Sequence, residues 1–163
     1  IIMRDHSGPG QGAEEDDGYL SLEYDCKYFD YIHIDPWKKY PSFDEGSKWT
    51  LDMIKFCLSK NPKIKFEVGT EEAIRKFEPK DLEKLLNYLK KNLSKEAFLQ
   101  IKYLVIQSGT SLSSNQNTGN FNLKRLILVK NVFFNSLLYH FSDLPKHLIH
   151  ATRFIVFGNS GLS

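Results

Sequence analysis

Four apolar segments rich in β-branched and aromatic residues recur along the first two thirds of the chain, with a helical pattern in each gap. They are residues 1–4 (IIMR), 31–35 (YIHID), 64–68 (IKFEV) and 102–107 (KYLVIQ). Their spacing is roughly 30–40 residues, the rhythm of strand, crossover helix and next parallel strand. Residues 79–93 are the clearest helix, with Leu82, Leu85, Leu86, Leu89 and Leu93 on one stripe and Pro79 suited to the first turn. Residues 47–59 carry Leu51, Ile54 and Leu58 at helical spacing, and Asn61-Pro62 stops them. Residues 19–29 form a weaker helical pattern, and residues 122–130 another after a polar loop at 108–120.

This alternation predicts the α/β class. Right-handed crossovers then close a barrel or build a doubly wound sheet. A complete (β/α)8 barrel takes about 250 residues. The 163 residues suffice for one core, and four to five βα units make a partial barrel.

The chain changes character after residue 130. Of the 20 acidic residues, only Asp143 lies beyond Glu96, and His140, His147 and His150 cluster without a recognisable ligand spacing. Residues 126–141 are apolar but too interrupted for a membrane span. A further strand is expected at 153–157. The reading is a partial-barrel domain over 1–130 and a divergent tail over 131–163, either a native extension or a product of another reading frame. The start Ile1-Ile2-Met3 leads to the expectation of further sequence upstream.

Net charge is +2, from 22 basic and 20 acidic residues, which provides no electrostatic footprint for nucleic acid. The two cysteines, Cys26 and Cys57, make neither a disulfide scaffold nor a zinc-ribbon spacing. With no signal-peptide pattern, a cytoplasmic setting without membrane attachment is expected.

Parallel α/β folds collect function at the C-terminal ends of their strands. Polar groups stand there each time. They are Asp5-His6-Ser7-Gly8-Pro9-Gly10, His33-Ile34-Asp35-Pro36-Trp37, Glu67-Val68-Gly69-Thr70-Glu71-Glu72 and Gln107-Ser108-Gly109-Thr110. The two-residue period places His33 and Asp35 opposite Ile32 and Ile34, and Glu67 opposite Phe66 and Val68. Buried carboxylates and histidines are costly unless paired or metal-bound, so Asp5, His6, His33, Asp35 and Glu67 are candidate site residues. Plainer roles stand beside this one. Asp5 and Asp35 suit turn caps, His33 suits a hydrogen-bonded interior, and Glu71 and Glu72 suit a helix N-terminus. The run Gly8–Gly12 reads as a turn, and the acidic run at 14–17 as a solvated loop, with a metal contact as the alternative.

The order R-D-H-x-G-P, I-H-I-D, E-V-G-T-E-E and V-I-Q-S-G-T resembles the tagatose-1,6-bisphosphate aldolase Z-type subunit family, over roughly residues 3–130. That family has a TIM-barrel fold and is related to the class II metal-dependent aldolases. The resemblance implies proton transfer at Asp5, a zinc ligand at His6, an acidic site residue at Asp35 and a metal-site glutamate at Glu67. It assigns Asp5, Asp35 and Glu67 to catalysis, His6 and Glu67 to metal, and His33, Gln107, Ser108 and Thr110 to substrate. The W-K-K-Y-P run at 37–41 departs from the family pattern. So does the fourth strand, which offers no histidine where class II aldolases supply further ligands.

Two functions follow as expectations. The first is a carbohydrate-metabolism protein supporting the stability and activity of a catalytic aldolase subunit. The second is a zinc-dependent sugar-phosphate aldolase, a carbon–carbon lyase, in its own right. The expected partners are a sugar phosphate and either a catalytic subunit or a second copy of the chain.

Overall fold

A computed structural model of the protein describes residues 1–12, 17–70, 74–107, 110–113, 116–120, 122–138 and 155–156. Strands β1 (Met3–Ser7), β2 (Tyr31–Ile34), β3 (Lys65–Val68) and β4 (Ile101–Ile106) form a parallel sheet in sequence order. Helices α1 (Tyr19–Tyr28), α2 (Phe43–Lys60) and α3 (Pro79–Asn92), with the short α4 (Lys95–Phe98), fill the crossovers. Helix α5 (Leu123–Leu138) follows β4, and α1 packs on α2, α2 on α3 and α3 on α5. Among the described strands the order has no reversal of the kind that makes a switch point in a doubly wound sheet.

The chain is therefore α/β with a parallel sheet. Strand β1 begins two residues later than the apolar start of the chain, so Asp5 and His6 lie within it. Helix α2 begins at Phe43, four residues before the start expected at residue 47, because Ser42 caps it. The Ser42 hydroxyl accepts from the Glu45 N–H at 3.4 Å and donates to the Glu45 carboxylate at 2.6 Å. Helix α3 opens on Pro79 with Glu78 and Asp81 as a reciprocal capping box.

The expected loop at 108–120 contains instead an antiparallel hairpin, β5 (Thr110–Ser113) with β6 (Gln116–Gly119). Thr110 pairs with Gly119 and Ser113 with Gln116. A two-stranded ladder is held by backbone bonds and needs no apolar alternation, so a polar segment hides it. Helix α5 runs on past residue 130, across the boundary drawn from composition. Within the strand expected at 153–157, β7 (Ile155–Val156) pairs in parallel with Val105 and Ile106. His140, His147 and His150, Glu71, Glu72 and Ser108 lie outside the described residues, as do residues 14–16 of the acidic run. Among the described residues, no helix is long and apolar enough to cross a membrane.

One face of the sheet supplies Ile32, Ile34, Phe66, Val68 and Leu104 to a single core. The helices meet it with Leu22 and Cys26 of α1, Ile54 and Cys57 of α2, Leu85 and Leu89 of α3 and Val129 of α5. Each fully buried aliphatic or aromatic side chain contributes roughly 1.5–3 kcal/mol. The opposite face carries Tyr31, His33, Lys65 and Glu67, so the apolar layer leaves the polar face to the site.

Trp37, just past β2, is fully buried and wedges α2 against the segment before α3. Its ring meets Phe77 edge-on at 4.8 Å and covers Gly46 in the first turn of α2. A β-carbon at Gly46 would stand 2.2 Å from the Trp37 ring. Gly46→Ala is therefore expected to cost about 2–3 kcal/mol through overpacking. Urea unfolding measures it, and an unchanged midpoint contradicts this seat for Trp37.

Candidate metal centre

The site begins with a register fault. Arg4 pairs with Ile32 and Ser7 with Ile34, so β1 spends two residues, Asp5 and His6, where β2 spends only His33. In a regular strand Asp5 and His6 would point to opposite faces. The bulge, with His6 at φ 49°, brings both side chains against the His33 ring. A histidine at positive φ is unusual and carries a strain cost that the surrounding bonds must hold.

Those bonds come from Asp35 and Gly69. The fully buried Asp35 carboxylate lies 2.8 Å from His6 Nδ1. It also accepts from the Thr70 hydroxyl at 3.1 Å and from the Trp37 N–H at 3.3 Å. Its own backbone N–H donates to Ser7 O at 2.9 Å and its carbonyl accepts from Gln11 Nε2 at 2.9 Å. His33, with no exposed surface, places Nε2 3.1 Å from the Gly69 carbonyl. Gly69 sits at φ 111°, where a side chain would be strained and would crowd Val105.

A carboxylate and a carbonyl only accept, so a neutral His6 carries its proton at Nδ1 toward Asp35. A neutral His33 that gives its proton to the nearer of its two acceptors, Gly69 O at 3.1 Å rather than Asp5 at 3.4 Å, carries it at Nε2. The lone pairs are then at His6 Nε2 and His33 Nδ1. Both face Asp5 Oδ1, at 3.7 Å and 3.4 Å. The rings lie 4.8 Å apart. In that tautomer three lone pairs converge, and a cation between them, a proton or a metal ion, makes the arrangement favourable.

Protonation chemistry agrees. Burial alone pushes His33 down, but the Asp5 bond and the Glu67 and Asp35 carboxylates outweigh it, so His33 is raised above its ordinary value. The His33 bond holds the Asp5 carboxyl below its ordinary value against partial burial, helped by the charge of His6. Asp5, His6 and His33 also have the donor set of a metal centre, with their ligand atoms within 4.8 Å of one another. Each histidine is braced at its second nitrogen, as metal-ligating histidines are. Among the described residues the set offers three ligand atoms.

The structure brings five expected residues together and redistributes their places. Asp5, His6 and His33 form the converging set, and Asp35 stands behind His6. Glu67, expected as a ligand, pairs with His33 across the strands and lies outside that set. It is almost fully buried, its Oε1 has no hydrogen-bond partner, and desolvation pushes its carboxyl up. Gln107 does not face the metal set. Its amide accepts from the Phe77 N–H at 2.8 Å and donates to Thr70 O at 2.9 Å and Arg75 O at 2.6 Å, pinning the segment before α3. Thr110 starts the hairpin. The bracing residues Gly69 and Thr70 were not singled out in the sequence, although both stand at the third strand end.

No protein-family model matches the chain, and comparison with curated proteins yields no match.

The raised Glu67 carboxyl has a consequence for stability. The folded chain keeps this proton to higher pH than the unfolded chain, so stability falls as pH rises from the ordinary value of 4.5 through the folded value. Glu67→Gln removes that loss. The variant is expected to gain on the parent as pH rises, with the smallest gap in acid. Thermal midpoints across a pH series check this, and a gap that shrinks with pH contradicts it.

Proposed function

We propose that this chain is a metal-dependent lyase of the sugar-bisphosphate aldolase kind, holding zinc on Asp5, His6 and His33. The observation that carries the reading is the convergence of two imidazoles on one carboxylate. Zinc bound there supplies Lewis-acid polarisation of a ketose carbonyl. Asp35 and Gly69 hold the imidazoles in the ligating tautomer. Glu67, buried beside His33 with an unpartnered oxygen, holds and returns the proton that aldol cleavage moves. The sequential strand order, with each helix packed on the next, supports the partial (β/α)8 barrel implied by the motif order. A sugar phosphate as substrate rests on the same motif resemblance.

A second reading, the supporting Z-type subunit, is favoured by one observation. Among the described residues the converging ligands come from β1 and β2, while Gln107 on the fourth strand end bonds its neighbours. In that reading zinc braces the subunit and a catalytic partner performs the cleavage.

Calorimetric titration with zinc is expected to show one ion per chain, bound more tightly as pH rises because the ion competes with the His33 proton. His33→Ala and Asp5→Ala are expected to abolish binding, and Asp35→Ala to weaken it about 10–100-fold. Absence of binding by the folded protein sinks the metal reading. With binding established, cleavage of tagatose-1,6-bisphosphate by the zinc-loaded chain alone supports the lyase. Cleavage that appears only as stimulation of a catalytic subunit supports the second reading.

A further inference from the structure

The only two cysteines of the chain, 31 positions apart in sequence, meet in the interface between α1 and α2. Both are buried and both are free thiols. The Cys26 thiol donates to the Cys57 carbonyl at 3.9 Å. One residue then holds both backbones. The Asn61 N–H donates to Cys57 O at 2.8 Å, and Asn61 Nδ2 donates to Cys26 O at 3.0 Å. The Lys60–Glu23 ion pair, at 3.2 Å, spans the same two helices one step further out.

The packing of α1 provides access. The helix buries only Leu22 and Cys26 and exposes Leu20, Tyr24 and Tyr28. Few buried contacts make a segment that opens locally, and opening α1 uncovers Cys26 while Cys57 stays with α2.

We infer that Cys26 and Cys57 are a reversible disulfide pair, closed by a peroxide-class oxidant, that ties α1 to α2. The two thiols have distinct parts. Cys26, on the helix that opens, meets the oxidant first. The neighbouring Cys57 thiol holds Cys26 below its ordinary value, while the neighbouring Cys26 sulfur and burial push the Cys57 thiol up on α2. The Cys26 thiolate attacks one peroxide oxygen, the O–O bond breaks and hydroxide leaves, giving a sulfenic acid. The Cys57 sulfur then attacks the Cys26 sulfur, its proton joins the departing hydroxyl, and water leaves. Two thiols and one hydrogen peroxide thus become one disulfide and two waters, and a dithiol reverses the change. The closed bridge encloses β2, with His33, and the Asp35 that follows it. The proposal stands whether or not the site at β1 binds metal.

The test is mild hydrogen peroxide on the native full chain, followed by digestion without reductant and peptide mass mapping. The expected result is a monomer that loses both free thiols together, a linked Cys26–Cys57 peptide, and recovery of both thiols on dithiothreitol. In Cys57→Ala the same treatment is expected to stop at a Cys26 sulfenic acid that dimedone traps. Three outcomes overturn the proposal. They are oxidation to sulfinic acid without a linked peptide, bridges between chains, and native thiols that survive peroxide sufficient to consume those of the urea-unfolded chain. If Cys57→Ala does not fold, the linked peptide in the native parent decides alone.

Discussion

Everything at the site depends on one extra residue in β1. With Asp5 and His6 opposite a single His33, two neighbouring side chains that a regular strand would separate share one face. The left-handed backbone at His6 is the local cost of that fault. It is held by the 2.8 Å bond from His6 to the buried Asp35, whose carboxylate is in turn held by Thr70 and the Trp37 N–H. The bulge, the second strand end and the third strand end are thus one construction. Asp35 alone, buried without these donors, would be a costly charge.

The scaffold explains why that construction sits where it does. An alternating strand divides its residues between two faces. In β2 and β3 the apolar half, Ile32, Ile34, Phe66 and Val68, is committed to the helix layer. His33 and Glu67 are left paired on the opposite face, with the bulged residues of β1 beside them. Trp37 and Gln107 then fix the strand-end segments, one by its wedge on Gly46 and Phe77 and the other by its three bonds around Thr70, Arg75 and Phe77. Arg125 adds a tie from α5, bonding the carbonyls of Gln107 and Phe77 and the Glu78 carboxylate. These residues hold in place the strand ends around the site.

Much of this was legible in the sequence, and the remainder was hidden for identifiable reasons. The leucine stripe of α3 and the alternation of β2 and β3 are period signals, so class and core face could be read from them. The site residues were legible as types at strand ends, and five of the expected residues do meet. Their division of labour was not. It turns on a one-residue register shift in β1, on which ring nitrogen meets Asp35 or Gly69, and on Gln107 being spent on backbone groups far away in sequence. None of these leaves a periodic trace. The β5–β6 hairpin was missed because a polar ladder looks like loop composition, and α5 passed the composition boundary because helical continuity is a backbone property.

The central claim is that the fold presets two imidazole lone pairs toward Asp5, and nitrogen-15 NMR of the imidazole rings tests it most directly. The account predicts that raising the pH to neutralise both rings leaves His6 protonated at Nδ1 and His33 at Nε2. Zinc is then expected to shift the His6 Nε2 and His33 Nδ1 resonances alone. The reverse tautomers, or zinc shifts at His6 Nδ1 and His33 Nε2, would contradict it.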